Sequence, residues 1–166
     1  MNDISLEYRV HRQKTGRETL IRYALILGAV LLAYLGFFIH PLFIIALLAE
    51  TVAAVIILPR LDVEIEYLFV AGELSIDRIF SKSTRKNAVD FKLDSMEFFA
   101  PEKSSGLDPF RTGSLQTADY TSLDPGADRY VMIIPWEGNR LWAVLEPGEK
   151  IASEIISRYP SRSARI

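Results

Sequence analysis

Glu50 is the first residue whose position asks for a chemical explanation. It stands within "LLAETVAAV", Leu47 to Val55, near the centre of an apolar run that extends from Leu42 to Leu58. A charged carboxylate at the midplane of a bilayer costs several kcal/mol, so a protonated side chain that donates a hydrogen bond is expected there. Ala46, Ala49, Ala53 and Ala54 surround it at helical spacing, and the preceding run offers Ala29, Ala33 and Gly36. Small residues in such a stripe let two helices approach closely. Three roles fit a carboxyl so placed. It is a proton or ion relay, a polar latch to another membrane protein, or a contact across the hairpin or between copies of the chain. Tyr34 lies near the right depth to pair with it but projects away from the small stripe.

The second candidate is the basic stretch Lys82-Ser83-Thr84-Arg85-Lys86. Lys82, Arg85 and Lys86 suit anionic headgroups, a phosphate or an acidic partner surface. The plainer alternative is a solvated hairpin loop. From Arg60 to Ile166 the chain has 14 basic and 17 acidic side chains, so only that loop is attractive to lipid. Phe110 and Arg111, followed by Tyr120, make either a docking segment or a flexible insertion. Trp136 and Trp142 flank Gly138-Asn139 and serve either cross-strand packing or a bilayer interface. Asp77, Asp90 and Asp94 alternate with apolar residues and read as solvated strand faces, not as a carboxylate pair for acid–base work.

Several chemistries have no residues to support them. The chain has no cysteine, which removes disulfides, thiolate nucleophiles and zinc–thiolate sites. Its two histidines, His11 and His40, lie far apart at opposite ends of the first apolar run. No dinucleotide fingerprint, phosphate-binding loop or nucleophile elbow occurs. The net charge of −2 gives no general pull toward nucleic acid. No catalytic, cofactor or metal residue is therefore expected, and no small-molecule substrate is identified.

The elements that must position these residues fall into three segments: 1–19, a basic N-terminal segment; 20–59, a two-helix hairpin; and 60–166, a soluble domain. "LIRYALILGAVLLAYLGFFI", Leu20 to Ile39, is long enough at about 1.5 Å per residue to cross a hydrocarbon core of about 30 Å. Leu42 to Leu58 is at the short end of a span. A buried soluble hairpin would need a polar face that neither run has. His40-Pro41 makes so short a turn that the helices must be antiparallel neighbours. Arg9, Arg12, Lys14, Arg17 and Arg22 precede the first span and Arg60 follows the second, while the turn carries no Lys or Arg. Both termini are therefore expected in the cytoplasm. The basic segment is either a topology signal or a strip that lies along anionic headgroups.

Beyond Arg60 the apolar residues alternate. Strands are expected at Asp62–Phe69, Leu74–Phe80, Thr84–Phe91 and Leu93–Phe99, then Leu115–Ser122, Arg129–Trp136 and Arg140–Leu145. The parity slip near Ser95 marks a turn or bulge. Pro101 to Ser114 is an aperiodic loop. Pro147 to Tyr159 carries Ile151, Ala152, Ile155, Ile156 and Tyr159 on one helical face. Four strands, three strands and a closing helix suit a pleckstrin-homology-like (PH-like) antiparallel barrel or sandwich, an α+β domain behind a transmembrane hairpin.

The segments "FVAGELSIDRIFSKSTRKNAVDF", Phe69 to Phe91, "MEFFAPE", Met96 to Glu102, and "LEPGEKIASEIISRYPSR", Leu145 to Arg162, resemble an uncharacterised family of small bacterial membrane proteins. Those proteins have an N-terminal two-helix hairpin and a cytoplasmic PH-like domain. The resemblance implies membrane attachment and a binding, scaffolding or regulatory role. It defines no catalytic residue and does not imply phosphoinositide recognition. The expected partners are the lipid bilayer and either another membrane protein or a second copy of the chain. The alternatives are an anionic-lipid sensor that uses Lys82 to Lys86, and an accessory subunit of a membrane transporter with Glu50 in a shared polar path.

Overall fold

A computed structural model describes residues 5–112 and 115–164. The first four residues of the expected basic segment and the last two of the expected loop lie outside the described residues.

Two long helices, α1 (Gly16–Phe38) and α2 (Leu42–Ile57), form the apolar hairpin, and a 3-10 turn (Leu58–Leu61) extends α2. Helix α1 starts where it does because Thr15 and Glu18 close a capping box. The Glu18 backbone N–H donates to Thr15 Oγ1 at 3.4 Å and the Thr15 N–H donates to Glu18 Oε2 at 2.8 Å. At the turn, the Leu42 N–H donates to His40 Nδ1 at 3.1 Å, which satisfies one of the free donors that begin α2. The two helices pack along a seam. On α1 it follows Ile21, Leu25, Gly28, Leu32 and Leu35, and on α2 it follows Phe43, Leu47, Glu50, Ala54 and Ile57. These alternate three and four apart, the spacing of a coiled-coil seam. The rest of the apolar surface faces outward. The rest of the chain buries 6% of the most apolar window of the first helix and 0% of that of the second. Neither helix is therefore packed as a core helix of this domain. Both helices are long and apolar enough to cross a bilayer.

The remaining chain forms two sheets of four strands each. The first has the order β1 (Ser5–His11), β2 (Val63–Val70), β3 (Glu73–Phe80), β4 (Thr84–Lys92), all antiparallel, with a bulge at Ile76/Asp77. The second has the order β5 (Phe98–Pro101), β7 (Tyr130–Trp136), β8 (Asn139–Leu145), β6 (Leu115–Asp119). Their facing sides bury Ile65, Tyr67, Phe69, Leu74, Ile76 and Phe91 against Phe99, Met132, Leu141 and Leu145. Helix α3 (Gly148–Arg158) closes the sandwich with Ile151, Ala152 and Ile155. The alternation read from the sequence and the apolar face of α3 are both present.

Of the two expected forms, barrel and sandwich, the sheets take the sandwich. Three expectations change. The run Leu93–Phe99 is not a strand throughout. Leu93–Ser95 is a 3-10 turn and the strand begins at Phe98, as the parity slip near Ser95 suggested. Strand β6 runs parallel to β8, because the chain between β6 and β7 crosses to the other side of β8 instead of making a hairpin. The largest change concerns the expected basic segment 1–19, whose described residues include a strand of the domain. Ser5–His11 pairs with β2 across seven register positions. The apolar hairpin is thus an insertion between two neighbouring strands. Both of its ends return to the same domain.

Candidate functional site

The end of the domain that meets the hairpin is held by backbone bonds. The Arg12 N–H donates to the Val63 carbonyl at 2.9 Å, the Gln13 N–H to Ser122 at 2.7 Å, and the Ser81 N–H to Asp62 at 2.8 Å. Beside these bonds lies an open cleft of about 330 Å³, lined by Lys14, Glu18, Arg22, Leu58, Pro59, Leu61, Asp62 and Ser81. Its two acids have partners in the chain. Glu18 closes the capping box and lies 3.7 Å from Arg12; Asp62 lies 3.5 Å from His11. Lys14 and Arg22 have no carboxylate within ion-pair distance among the described residues. Lys82 follows the lining residue Ser81 in sequence and lies in the left-handed region (φ 59°) that the tight β3–β4 turn requires.

The structure divides the predicted basic loop. Lys82 and Lys86 are exposed, but Arg85 pairs with Glu66, a carboxylate only 2% exposed, and lies 3.5 Å from Asp77. Arg9 on β1 pairs with the same Glu66 from the other side. Glu66 therefore sits on the outer face of the first sheet beneath two guanidinium groups, so that face is not simply wet. Asp77 and Asp90 share one donor, and Asp94 has another. Asp77 and Asp90 accept from Asn87 Nδ2 at 3.1 and 2.9 Å, and Asp94 accepts from the Tyr159 hydroxyl at 2.8 Å. Burial, with the Asp94 contact second, pushes the Tyr159 phenol up.

Glu50 faces α1 of its own chain. Its Oε2 is buried with no hydrogen-bond partner among the described residues. Its carboxyl occupies the space where Gly28 would carry a Cβ, so any larger residue there must push the Glu50 side chain aside. Ala53 and Ala54 are half-buried in the same seam, whereas Ala46 and Ala49 are exposed. Tyr34 does not meet Glu50; it is exposed and packs against Phe38 at 5.0 Å between ring centroids.

The loop that holds Phe110 and Arg111 covers the outer face of the second sheet. Phe110 stacks on Phe98 at 5.4 Å, and Arg111 lies 5.6 Å from the Trp142 ring centroid. Leu107 is fully buried beneath it with Val131 and Ile133. Trp136 packs edge-on against Phe91 at 5.9 Å and Tyr120 packs on the same ring at 6.0 Å. Both tryptophans therefore belong to sheet packing.

Inspection of the sequence missed a polar tie through the core. The Tyr67 hydroxyl donates to the Tyr120 carbonyl and accepts from the Glu146 N–H at 3.0 Å; Glu146 Oε2 accepts from the Ser122 N–H at 2.9 Å. Burial pushes the Tyr67 phenol far up, so it stays a neutral donor. Tyr67 reads as an apolar strand residue, and nothing local reveals the partners of its hydroxyl. Arg9 was missed as a structural residue for another reason. "LEYRV" alternates as a strand should, but the strand that pairs with it lies beyond the hairpin.

Two four-stranded sheets closed by a C-terminal helix, with an apolar hairpin inserted after the first strand, define a PH-like domain built onto two candidate transmembrane helices. The chain belongs to the bacterial PH-like domain family (DUF6106), whose family model matches residues 2–165. The match takes in β1 and the hairpin, so both are part of the family pattern. It bears out the resemblance drawn from Phe69–Phe91, Met96–Glu102 and Leu145–Arg162. No curated protein and no solved structure matches the chain.

Proposed function

We propose that the protein is a non-enzymatic membrane module that presents its PH-like domain at the cytoplasmic face and binds another protein there as a scaffold or regulatory subunit. The observation that carries this reading is the insertion of the hairpin between β1 and β2. A domain joined to a flexible anchor by one strand would sweep a large volume. Here two short connections, both hydrogen-bonded to the domain, hold it against the lipid surface. The asymmetry of Lys and Arg across the hairpin favours the cytoplasmic side. The strongly buried polar side chains support a binding role over catalysis. Glu66, Ser122 and Glu146 make ion pairs or hydrogen bonds that hold strands and loops, and Thr121 bonds Asp119.

A reporter active only in the cytoplasm should work when fused after the last residue and fail when inserted at His40-Pro41. Full-length protein captured in mild detergent should bring down a stoichiometric companion that mass spectrometry identifies. Reversed reporter activity would refute the orientation. Recovery of a companionless monomer would refute the binding role.

A further inference from the structure

We propose that the cleft at the foot of the hairpin binds the phosphate headgroup of an anionic glycerolipid; this rests on the reading that the hairpin crosses the membrane. Three observations converge on that chemistry. First, the cleft has two kinds of wall. Leu58, Pro59 and Leu61 make an apolar wall continuous with α2, while Lys14 and Arg22 provide cationic groups. Arg22 immediately precedes the wholly apolar part of α1, so its stem can lie along apolar surface while the guanidinium reaches the headgroup level.

Second, the two acids that line the cleft have partners in the chain and its two cations have none among the described residues. Glu18 and Asp62 are engaged by Thr15, Arg12 and His11, which leaves Lys14 and Arg22 without a carboxylate among the described residues. Third, the β3–β4 turn that carries Lys82 is tied to the cleft through Ser81, which lines it and donates its N–H to the Asp62 carbonyl. A soluble phosphate would satisfy the cations but leave the Leu58–Pro59–Leu61 wall unmatched. A diacyl lipid satisfies both, with its chains along the hairpin. The site differs from the expected Lys82–Lys86 loop, since Arg85 is committed to Glu66 and only Lys82 takes part.

The test uses full-length protein in mild detergent, titrated with short-chain phosphatidylglycerol, short-chain phosphatidylcholine or inorganic phosphate. Thermal unfolding is followed by the fluorescence of Trp136 and Trp142. Phosphatidylglycerol alone should raise the melting temperature, as a ligand specific to the native state does. Lys14→Gln with Arg22→Gln should weaken that effect roughly fivefold per charge, about 25-fold for the pair. Neither side chain makes an ion pair, so the variant should fold. Lys86→Gln with Lys150→Gln should leave the effect intact. An equal response to phosphatidylcholine, or an unaltered response in the Lys14/Arg22 variant, overturns the proposal. A matching response to inorganic phosphate overturns the lipid assignment in favour of a free anion. Detergent micelles have no sidedness, so an inverted orientation in cells would defeat the cytoplasmic reading without touching this result.

Discussion

Removing the hairpin while keeping β1 should give a soluble, folded domain, whereas removing hairpin and β1 together should not. In the first variant, Asn-Gly replaces residues 13–62. Arg12 and Val63 already share a 2.9 Å backbone bond at the end of the β1–β2 register, which is where a two-residue hairpin turn fits. The second variant is residues 60–166 alone. The difference between them is what β1 contributes. Val10 is 8% exposed, and burying a valine is worth about 1.5–3 kcal/mol. Leu6 packs partly against the core, and the Tyr8 ring lies on Gly148, where φ of +72° and the nearness of that ring both require glycine. Together these add a similar amount. Loss of Arg9 removes one of two cations from the buried Glu66, about 1–3 kcal/mol. The ladder hydrogen bonds and the ordering of seven strand residues roughly offset one another. The total, about 4–9 kcal/mol, is a large part of the roughly 5–15 kcal/mol that holds a domain together. Urea unfolding followed by tryptophan fluorescence should show a cooperative transition for the first variant, and none for the second or one lower by at least about 2 M. Equal midpoints would show that β1 is an appendage, and the two-point attachment of the domain would lose its basis.

Stability at alkaline pH should depend on Tyr67. Its folded-state pKa is raised above the ordinary value of 10.0, so its contribution is complete below that pH and declines as pH rises through it. There the unfolded chain binds one proton fewer, and stability drops about 1.4 kcal/mol per pH unit. Tyr67→Phe should flatten the alkaline slope by that amount in urea titrations. It should also cost about 1–3 kcal/mol near neutrality, because the Tyr120 carbonyl and Glu146 N–H lose their partner. Arg85→Ala should destabilise by about 1–3 kcal/mol by baring one side of Glu66, while Lys82→Ala should leave the urea midpoint within about 0.5 kcal/mol. Equal effects would deny the division of the basic loop. In the hairpin, Gly28→Ile should lower the melting temperature in detergent, and adding Glu50→Ala should recover much of the loss. Strict additivity of the two changes would mean that Gly28 and Glu50 do not share one space.

The hairpin was legible because membrane solvation acts on each segment separately. A long uncharged apolar run from Tyr23 to Ile39, a prolyl turn and a basic flank are local facts, and so is the alternation from Val63 to Phe69. The closing helix could be read for the same reason, since Ile151, Ala152 and Ile155 recur at the helical period. The sandwich core could be listed in advance, but its connections could not. Pairing of Ser5–His11 with a strand 50 or more residues later is a long-range choice. It is made by the burial of Val10 and by the meeting of Arg9 with Glu66, and neither is visible within its own segment. The parallel seating of β6 on β8 is equally non-local. At the candidate sites, residue types named the chemistry and the tertiary structure assigned the partners. Arg85 and Lys82 read alike until Glu66 takes one of them. Glu50 reads as a reactive carboxyl until Gly28 is seen to make room for it. Periodicity records which face of a segment avoids water; which other segment covers that face is decided only when the whole chain packs.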